Sequence, residues 1–349
     1  MTRAPLRVGI VGAGTISTAH ARSLQAIECA RLVGFADLNS AADMQARQFG
    51  ARPFRELAQL LAEVDAVTIC TPVETHAAVA IEALSAGKHV LIEKPMARSL
   101  AQCDQMIAAA QRGSAQLAVI YQQRFNRYAN RLKWLLDSGR MGRQVFSVAN
   151  QSSTHGWDTM RFVVGEPAEV SAHWSGEEHT FRDPLLVSIK FANGRTGLLE
   201  TLPIFEPAGI PSDRRIWLYC LGERLTARFT MFSWELVLAG GDEAYKRHVE
   251  REIADLFTGP AYGEGHSPDN RNNVPDIVEQ FNECHRPQIE AWVQALQEGR
   301  PAPVPGAEGR KTIEFHTAAY QSGLEGRPIT LPIPTDDPWY ANPPRSSRG

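Results

Sequence analysis

The stretch VGIVGAGTIS, Val8 to Ser17, constrains the fold more than any other part of this 349-residue chain. A short apolar run, Arg7–Val11, leads into Gly12-Ala13-Gly14-Thr15-Ile16-Ser17, and helical character follows over Ser17–Gln25. Gly12 permits a tight turn, and Gly14 lets the backbone approach a pyrophosphate. The helix N-terminus at Thr15 and Ile16 offers unpaired N–H groups and the positive end of a dipole. Ser17 takes the third glycine position of G-x-G-x-x-G, which sets helix–strand packing and tolerates a small residue.

Strand and helix signals alternate after this loop. Arg31–Ala36 reads as a strand, Ser40–Phe49 as a helix that Ser40 can cap, and Ala66–Cys70 as a third strand. Ala-rich Thr75–Ala86 is helical and Gly87 stops it, His89–Ile92 is a strand, Ser99–Arg112 a helix, and Gln116–Tyr121 a fifth strand. Such alternation, with β-branched buried strands, predicts a doubly wound parallel sheet. Asp37 ends the second strand, 23 residues after Gly14, where a carboxylate can accept hydrogen bonds from adenosine ribose hydroxyls. It repels a 2′-phosphate, and Leu38 and Asn39 add no cation, so NAD is expected over NADP.

The pattern changes after a further helix at Arg124–Ser138. Pro184–Ala192 has period two, with Leu185, Val187, Ile189 and Phe191 on one face, and Asn193-Gly194 is a hairpin turn. Thr196–Ile204 and Arg215–Leu221 continue as strands, Thr258–Pro275 as a loop, and Val278–Glu298 as a helix. The expected organisation is a dinucleotide-binding domain over residues 1–122 and an α+β domain over 123–333 with a mostly antiparallel sheet. A polar, Pro-rich tail over 334–349, extended or disordered, completes it.

Composition narrows the partners. Lys and Arg number 36 and Asp and Glu 39, a formal charge of −3 that gives no case for nucleic acid or an anionic membrane. No apolar run reaches the ~18 residues of a membrane helix, and the N-terminus has no signal-peptide pattern. Five scattered cysteines without C-x-x-C argue against a disulfide framework and structural zinc, and for a reducing cytoplasmic location.

Thr71-Pro72, His76, the AGKHV helix end, Glu93-Lys94-Pro95, YQQRFN at Tyr121–Asn126, GEPAEVSA at Gly165–Ala172 and FANG at Phe191–Gly194 occur in order. HRPQIEAWVQAL and GRPITLP follow near the C-terminus. Together they resemble the Gfo/Idh/MocA oxidoreductases, named for glucose–fructose oxidoreductase and inositol dehydrogenase, over roughly residues 6–333. The resemblance implies a Rossmann domain and an open antiparallel-sheet domain whose outer face makes dimer contacts, giving a homodimer or homotetramer. It implies a cis bond before Pro95, and Lys94 beside nicotinamide and substrate. It also implies cofactor-pocket positions for Thr71, His76 and Glu93. Lys94 can donate to a reacting hydroxyl and stabilise alkoxide charge.

In the family an Asp-x-x-x-His pair supplies the base. His155-Gly156-Trp157-Asp158 matches the His-x-x-Asp part, so His155 is the expected base and Asp158 a structural carboxylate in the first helical turn. Gln151 stands where the family has Asp, and RQVFSVAN runs almost directly into the His. Glu166, Glu169, Glu177 and Glu178 are nearby carboxylates. Three readings follow: an NAD(P)-dependent oxidoreductase of a sugar, cyclitol or related polyol, a non-catalytic dinucleotide-binding protein, or an NAD-assisted glycosidase. No metal is expected.

Overall fold

The computed structural model describes residues 4–143, 145–150, 154–175, 184–201, 217–230, 235–258 and 285–343. The chain forms two compact units, the first from residues 1–122 and 270–313, the second from 123–269 and 314–349. Residues 270–313 therefore join the first unit, although in sequence they follow most of the second.

The first unit alternates β1 (Leu6–Val11), α1 (Thr15–Gln25), β2 (Ala30–Ala36), α2 (Ala41–Phe49), β3 (Arg52–Phe54), α3 (Leu57–Leu61), β4 (Ala66–Ile69), α4 (Val73–Ser85), β5 (His89–Ile92), α5 (Leu100–Arg112) and β6 (Leu117–Val119). The strands lie in the order β3-β2-β1-β4-β5-β6, all paired in parallel. This is the expected doubly wound sheet. Val8, Ile10, Ala66, Val67 and Ile69 are completely buried, as strands covered on both faces require. The β3–α3 pair escaped the sequence reading because RPF is only three residues long and Pro53 lacks a ladder donor, which confines it to the sheet edge.

Helix Arg286–Glu298 buries Ile289, Trp292 and Val293 in the same core as Val8, Ile10 and Leu24. Gln288 accepts from the Tyr121 amide at 2.9 Å and donates to the Val119 carbonyl at 2.7 Å. A side chain thus takes up backbone groups at the end of β6, where the sequence run predicted more strand.

The second unit begins with a 3-10 turn, Gln122–Phe125, and α6 (Arg127–Asp137). Asn126 caps α6 by accepting from the Tyr128 and Ala129 amides, which moves the helix start three residues past the expected Arg124. Then come β7 (Val145–Asn150), α7 (Thr154–Val164), β8 (Pro167–Trp174), β9 (Leu185–Phe191), β10 (Thr196–Thr201), β11 (Trp217–Gly222), β12 (Thr226–Thr230), β13 (Glu235–Ala239), α8 (Glu243–Leu256) and β14 (Ile329–Thr330). The sheet order is β13-β12-β11-β7-β10-β9-β8-β14, antiparallel except for β7 with β10. Leu185, Val187, Ile189 and Phe191 are buried, and the residues between them are exposed, as period two predicts. Gly194 closes the β9–β10 hairpin with φ +82°.

Two expectations need correction. The segment after Pro334 is not extended throughout: Pro338–Ala341 is a short helix capped by Asp337, and it buries Trp339 and Tyr340. Two apolar aromatic rings supply the burial that a polar, Pro-rich composition hid. Helix Gly306–Glu325 was also missed. Its internal glycines weaken the helical signal, yet a Cβ at Gly309 would come within 2.5 Å of Val119. Residues 259–284, the far parts of the expected strands at 202–204 and 215–216, and 344–349 lie outside the described residues. Among those described, no helix is long and apolar enough to cross a membrane, and Cys29, Cys70, Cys103 and Cys220 are free thiols.

Candidate active site

The strands of the first unit end along one edge of the sheet. The loop Gly12–Ile16 follows β1, Asp37 follows β2, Thr71 follows β4, and Glu93-Lys94 follows β5. Because β1 and β4 are neighbours while the chain leaves them in opposite directions, a crevice opens at their carboxyl ends. In spatial order Asp37, the glycine loop, Thr71 and Glu93-Lys94 line that edge.

The two loop glycines do different work. Gly12 has φ +91°, and a Cβ there would lie 2.8 Å from the Cys70 carbonyl carbon and the Thr71 amide nitrogen. Close approach of β1 and β4 demands glycine at this point. A Cβ at Gly14 would meet nothing within 4 Å. The chain itself leaves that space open, above first-turn amides of α1 that lack intrahelical acceptors. A dinucleotide pyrophosphate fits this cradle.

Asp37 is tied into the loop. One carboxylate oxygen accepts from the Ala13 amide at 2.8 Å and the other from the Asn39 amide at 3.1 Å. Each oxygen keeps a further lone pair for a ribose hydroxyl. The sequence reading missed Arg55, which donates to the Asn39 carbonyl and pairs with Asp43. It comes from the turn after β3, too far along the chain for spacing to place it.

Thr71 and His76 form a clamp. The Thr75 hydroxyl donates to the Thr71 hydroxyl at 2.8 Å. His76 is buried, with Nε2 2.9 Å from the Thr71 carbonyl and Nδ1 2.9 Å from the Pro95 carbonyl. Burial lowers its pKa, against the two carbonyls, which raise it. The neutral ring donates to one carbonyl and abuts the other. His76 therefore ties the end of β4 to the Lys94-Pro95 turn, whose peptide bond is cis.

Glu93 is buried too. Its Oε1 lies 2.9 Å from His20 Nε2 and 3.4 Å from His285 Nε2, and its Oε2 accepts from the Lys94 amide at 3.1 Å. Burial pushes this carboxyl up, but hydrogen bonds from the two histidines push it further down, and it stays well below the usual carboxylate range. Burial pulls the His20 imidazole down. The arrangement is a carboxylate accepting from a neutral His20 ring. Nothing at Gly12–Ser17 or Glu93-Lys94-Pro95 in the sequence signals that His20 and His285 belong together.

In the second unit, His155 sits buried in the first turn of α7, its carbonyl accepting from the Thr159 hydroxyl at 2.7 Å. Asp158 is 1% exposed and accepts from Arg124 Nε at 2.8 Å and Nη2 at 2.7 Å, with Arg161 Nη1 3.7 Å away. The expected place for Asp158, in the first helical turn, needs correction: α7 starts at Thr154, so Asp158 falls in the second turn, and its carboxylate faces Arg124 rather than the helix N-terminus. Glu166 pairs with Arg161 and Glu169 with Lys190, both at 2.7 Å. Gln151, Glu177 and Glu178 lie outside the described residues.

The profile of the Gfo/Idh/MocA oxidoreductases, NAD-binding Rossmann fold, matches residues 6–121, and that family's C-terminal alpha/beta domain matches residues 121–331. The myo-inositol 2-dehydrogenase of Thermotoga maritima is 23% identical over 93% of this chain and 98% of its own. The UDP-N-acetylglucosamine 3-dehydrogenase of Acidithiobacillus ferrooxidans is 41% identical over 33% of this chain and 36% of its own. Among solved structures, the WlbA dehydrogenase of Bordetella pertussis, in complex with NADH and UDP-GlcNAcA, superposes with a TM-score of 0.75 at 22% identity, covering 96% of this chain and 100% of that one. A levoglucosan dehydrogenase in complex with NADH and levoglucosan gives 0.74 at 22% identity, covering 94% and 100%.

Proposed function

Because the chain belongs to the Gfo/Idh/MocA oxidoreductase family and carries its NAD-binding Rossmann domain, we propose that it interconverts a secondary alcohol and a ketone on a sugar, cyclitol or related polyol. The observation that carries the reading is the single sheet edge where the open Gly14 cradle, Asp37, Thr71 and Lys94 follow successive strands. Relatives named for inositol, UDP-N-acetylglucosamine and levoglucosan support the substrate class.

When bound, NAD supplies the hydride acceptor. The first-turn amides of α1 would hold the pyrophosphate, and Asp37 would hold the adenosine ribose. Glu93 and His76 act one step back from the cofactor, since their polar atoms are engaged by the protein. Thr71 contributes to the pocket wall. The Lys94 ammonium donates to the reacting oxygen and stabilises alkoxide charge. His155 takes the hydroxyl proton. A homodimer or homotetramer and a cytoplasmic location complete the proposal. Support for assembly comes from Phe146, Leu186, Leu221 and Val237, which lie on one face of the second unit's sheet and are 38–46% exposed.

The test is single-turnover oxidation of a panel of inositols, hexoses and nucleotide sugars with NAD. Formation of NADH with at least one member is expected. NAD binding without NADH from any member, or glycoside cleavage without net NADH, would overturn the dehydrogenase reading.

A further inference from the structure

Three polar side chains meet in the interior of the first unit with no part in the chemistry above. His20 comes from α1, Glu93 from the turn after β5, and His285 from the residue preceding helix Arg286–Glu298. Their exposures are 0%, 5% and 0%. Apolar side chains of similar volume would fill the space without desolvating a carboxylate. The contacts point to what the cluster does instead.

We propose that His20, with His285 packed against the same oxygen, holds Glu93 so that its second oxygen fixes the backbone amide of Lys94, making His20 and Glu93 positioning residues for the Lys94 ammonium. The inference rests on the role given to Lys94 above. Glu93 divides its two oxygens between two tasks. Oε1 takes His20 at 2.9 Å and faces His285 at 3.4 Å, and Oε2 takes the Lys94 amide at 3.1 Å. On the other side of residue 94, the Pro95 carbonyl is 2.9 Å from His76. The peptide group before the Lys94 Cα and the one after Pro95 are thus both tied to buried side chains. A lysine has four rotatable side-chain bonds, so a fixed root narrows where its ammonium can stand. A displacement of about 1 Å at a reacting group costs roughly 100-fold in rate.

The tautomer agrees with this arrangement. His20 Nδ1 is buried and has no hydrogen-bond partner among the described residues. A proton there would be a buried donor without an acceptor, so the ring proton sits on Nε2, facing Glu93. The same three donor atoms lie within 4.8 Å of one another, close enough for a metal ion. The hydrogen-bond length to His20 and the Lys94 amide on the second oxygen favour the proton-linked cluster.

The test uses the full chain with NAD and a substrate from the panel. Glu93→Gln leaves one carbonyl oxygen for two tasks, because its NH2 group cannot accept from the Lys94 amide. His20→Leu removes the donor, and His20→Gln restores one. We expect Glu93→Gln and His20→Leu to lower kcat about 10- to 100-fold with KM little changed, and to speed hydrogen exchange of the Lys94 amide. His20→Gln should recover part of both. Folded variants with unchanged kcat and unchanged Lys94 exchange would overturn the inference. Lys94→Met separates the two claims: if it keeps full turnover, the role given to Lys94 fails, whereas exchange at residue 94 still reads the cluster. Should the variants not fold, 15N shifts of His20 in the wild-type protein decide. A neutral ring protonated on Nε2 supports the cluster. An imidazolium, or an equivalent of divalent metal that copurifies with the protein, overturns it.

Discussion

Arg124 grips Asp158 with two hydrogen bonds, 2.8 and 2.7 Å long, from a position where its own side chain is 12% exposed and its partner 1%. The pair ties the turn before α6 to the helix that carries His155. Removing one member takes a bidentate partner from a buried charge. Arg124→Ala or Asp158→Ala should therefore destabilise the protein by about 3–5 kcal/mol, read as a lower midpoint in urea. Arg124→Lys should recover only part of the loss, because a single ammonium cannot match the bidentate geometry. A midpoint unchanged in Arg124→Ala would show that water replaces the pair at little cost.

The loop glycines should separate folding from cofactor binding. Gly12→Ala places a Cβ against the Cys70–Thr71 backbone and forces a positive φ, so thermal stability and NAD binding should fall together. Gly14→Ala has open space around it, and stability should change by less than about 1 kcal/mol. NAD affinity should still drop by at least about tenfold, roughly 1.4 kcal/mol, because the new methyl occupies the cradle. Calorimetric titration and a melting curve on each variant check both statements.

Asp37 should govern the choice between dinucleotides. Asp37→Ser removes the charge that repels a 2′-phosphate and leaves Arg55 nearby, in contact with the Asn39 carbonyl. The ratio of NADP to NAD affinity should rise by about tenfold or more, on the order of 1.4 kcal/mol. Binding measured for both cofactors would refute the assignment if the ratio stays put.

Acid should destabilise this protein at an unusually mild pH. His20, His76 and His89 have pKa values lowered chiefly by burial, and that of His316 is pulled down to about 4. A histidine lowered on folding contributes its full stability above its unfolded value, about 6.5, and loses it as pH falls toward the folded value. Glu93, held well below its usual range, adds a loss of the same sign that begins lower, near the ordinary carboxylate value. Urea midpoints should fall steadily from about pH 6.5 downward. His316→Asn should flatten the curve, by at most about 3 kcal/mol. A midpoint constant down to pH 5 would contradict the burial of these rings.

The base assignment has its own measurement. His155→Ala should lower turnover about 10²- to 10⁴-fold, with NAD affinity unchanged. Gln151→Asp, which supplies the carboxylate that the family resemblance implies at this position, should raise turnover and shift its pH profile. Unaltered kcat in His155→Ala would remove the residue from the mechanism.

Much of the first unit was legible because its signals are local. Glycines at 12 and 14 and a carboxylate at 37 fall at fixed distances along one chain segment, and buried parallel strands betray themselves as apolar runs. The period-two run at Leu185–Phe191 with its Asn193-Gly194 turn is local in the same way. Element ends were less legible where a side chain from elsewhere decided them, as Gln288 does at the end of β6.

The sequence by itself determined the doubly wound sheet, the glycine loop and the acidic residue beside it, because each depends on neighbours in the chain, while the Lys94 turn was legible through the family resemblance. Only the tertiary structure decided that His20 and His285, 265 residues apart (285 − 20), meet at Glu93. It likewise decided that Arg124 closes on Asp158, and that Trp339 and Tyr340 are buried rather than trailing. Burial and hydrogen bonding between distant residues depend on the folded core that encloses them, and no local pattern carries that information.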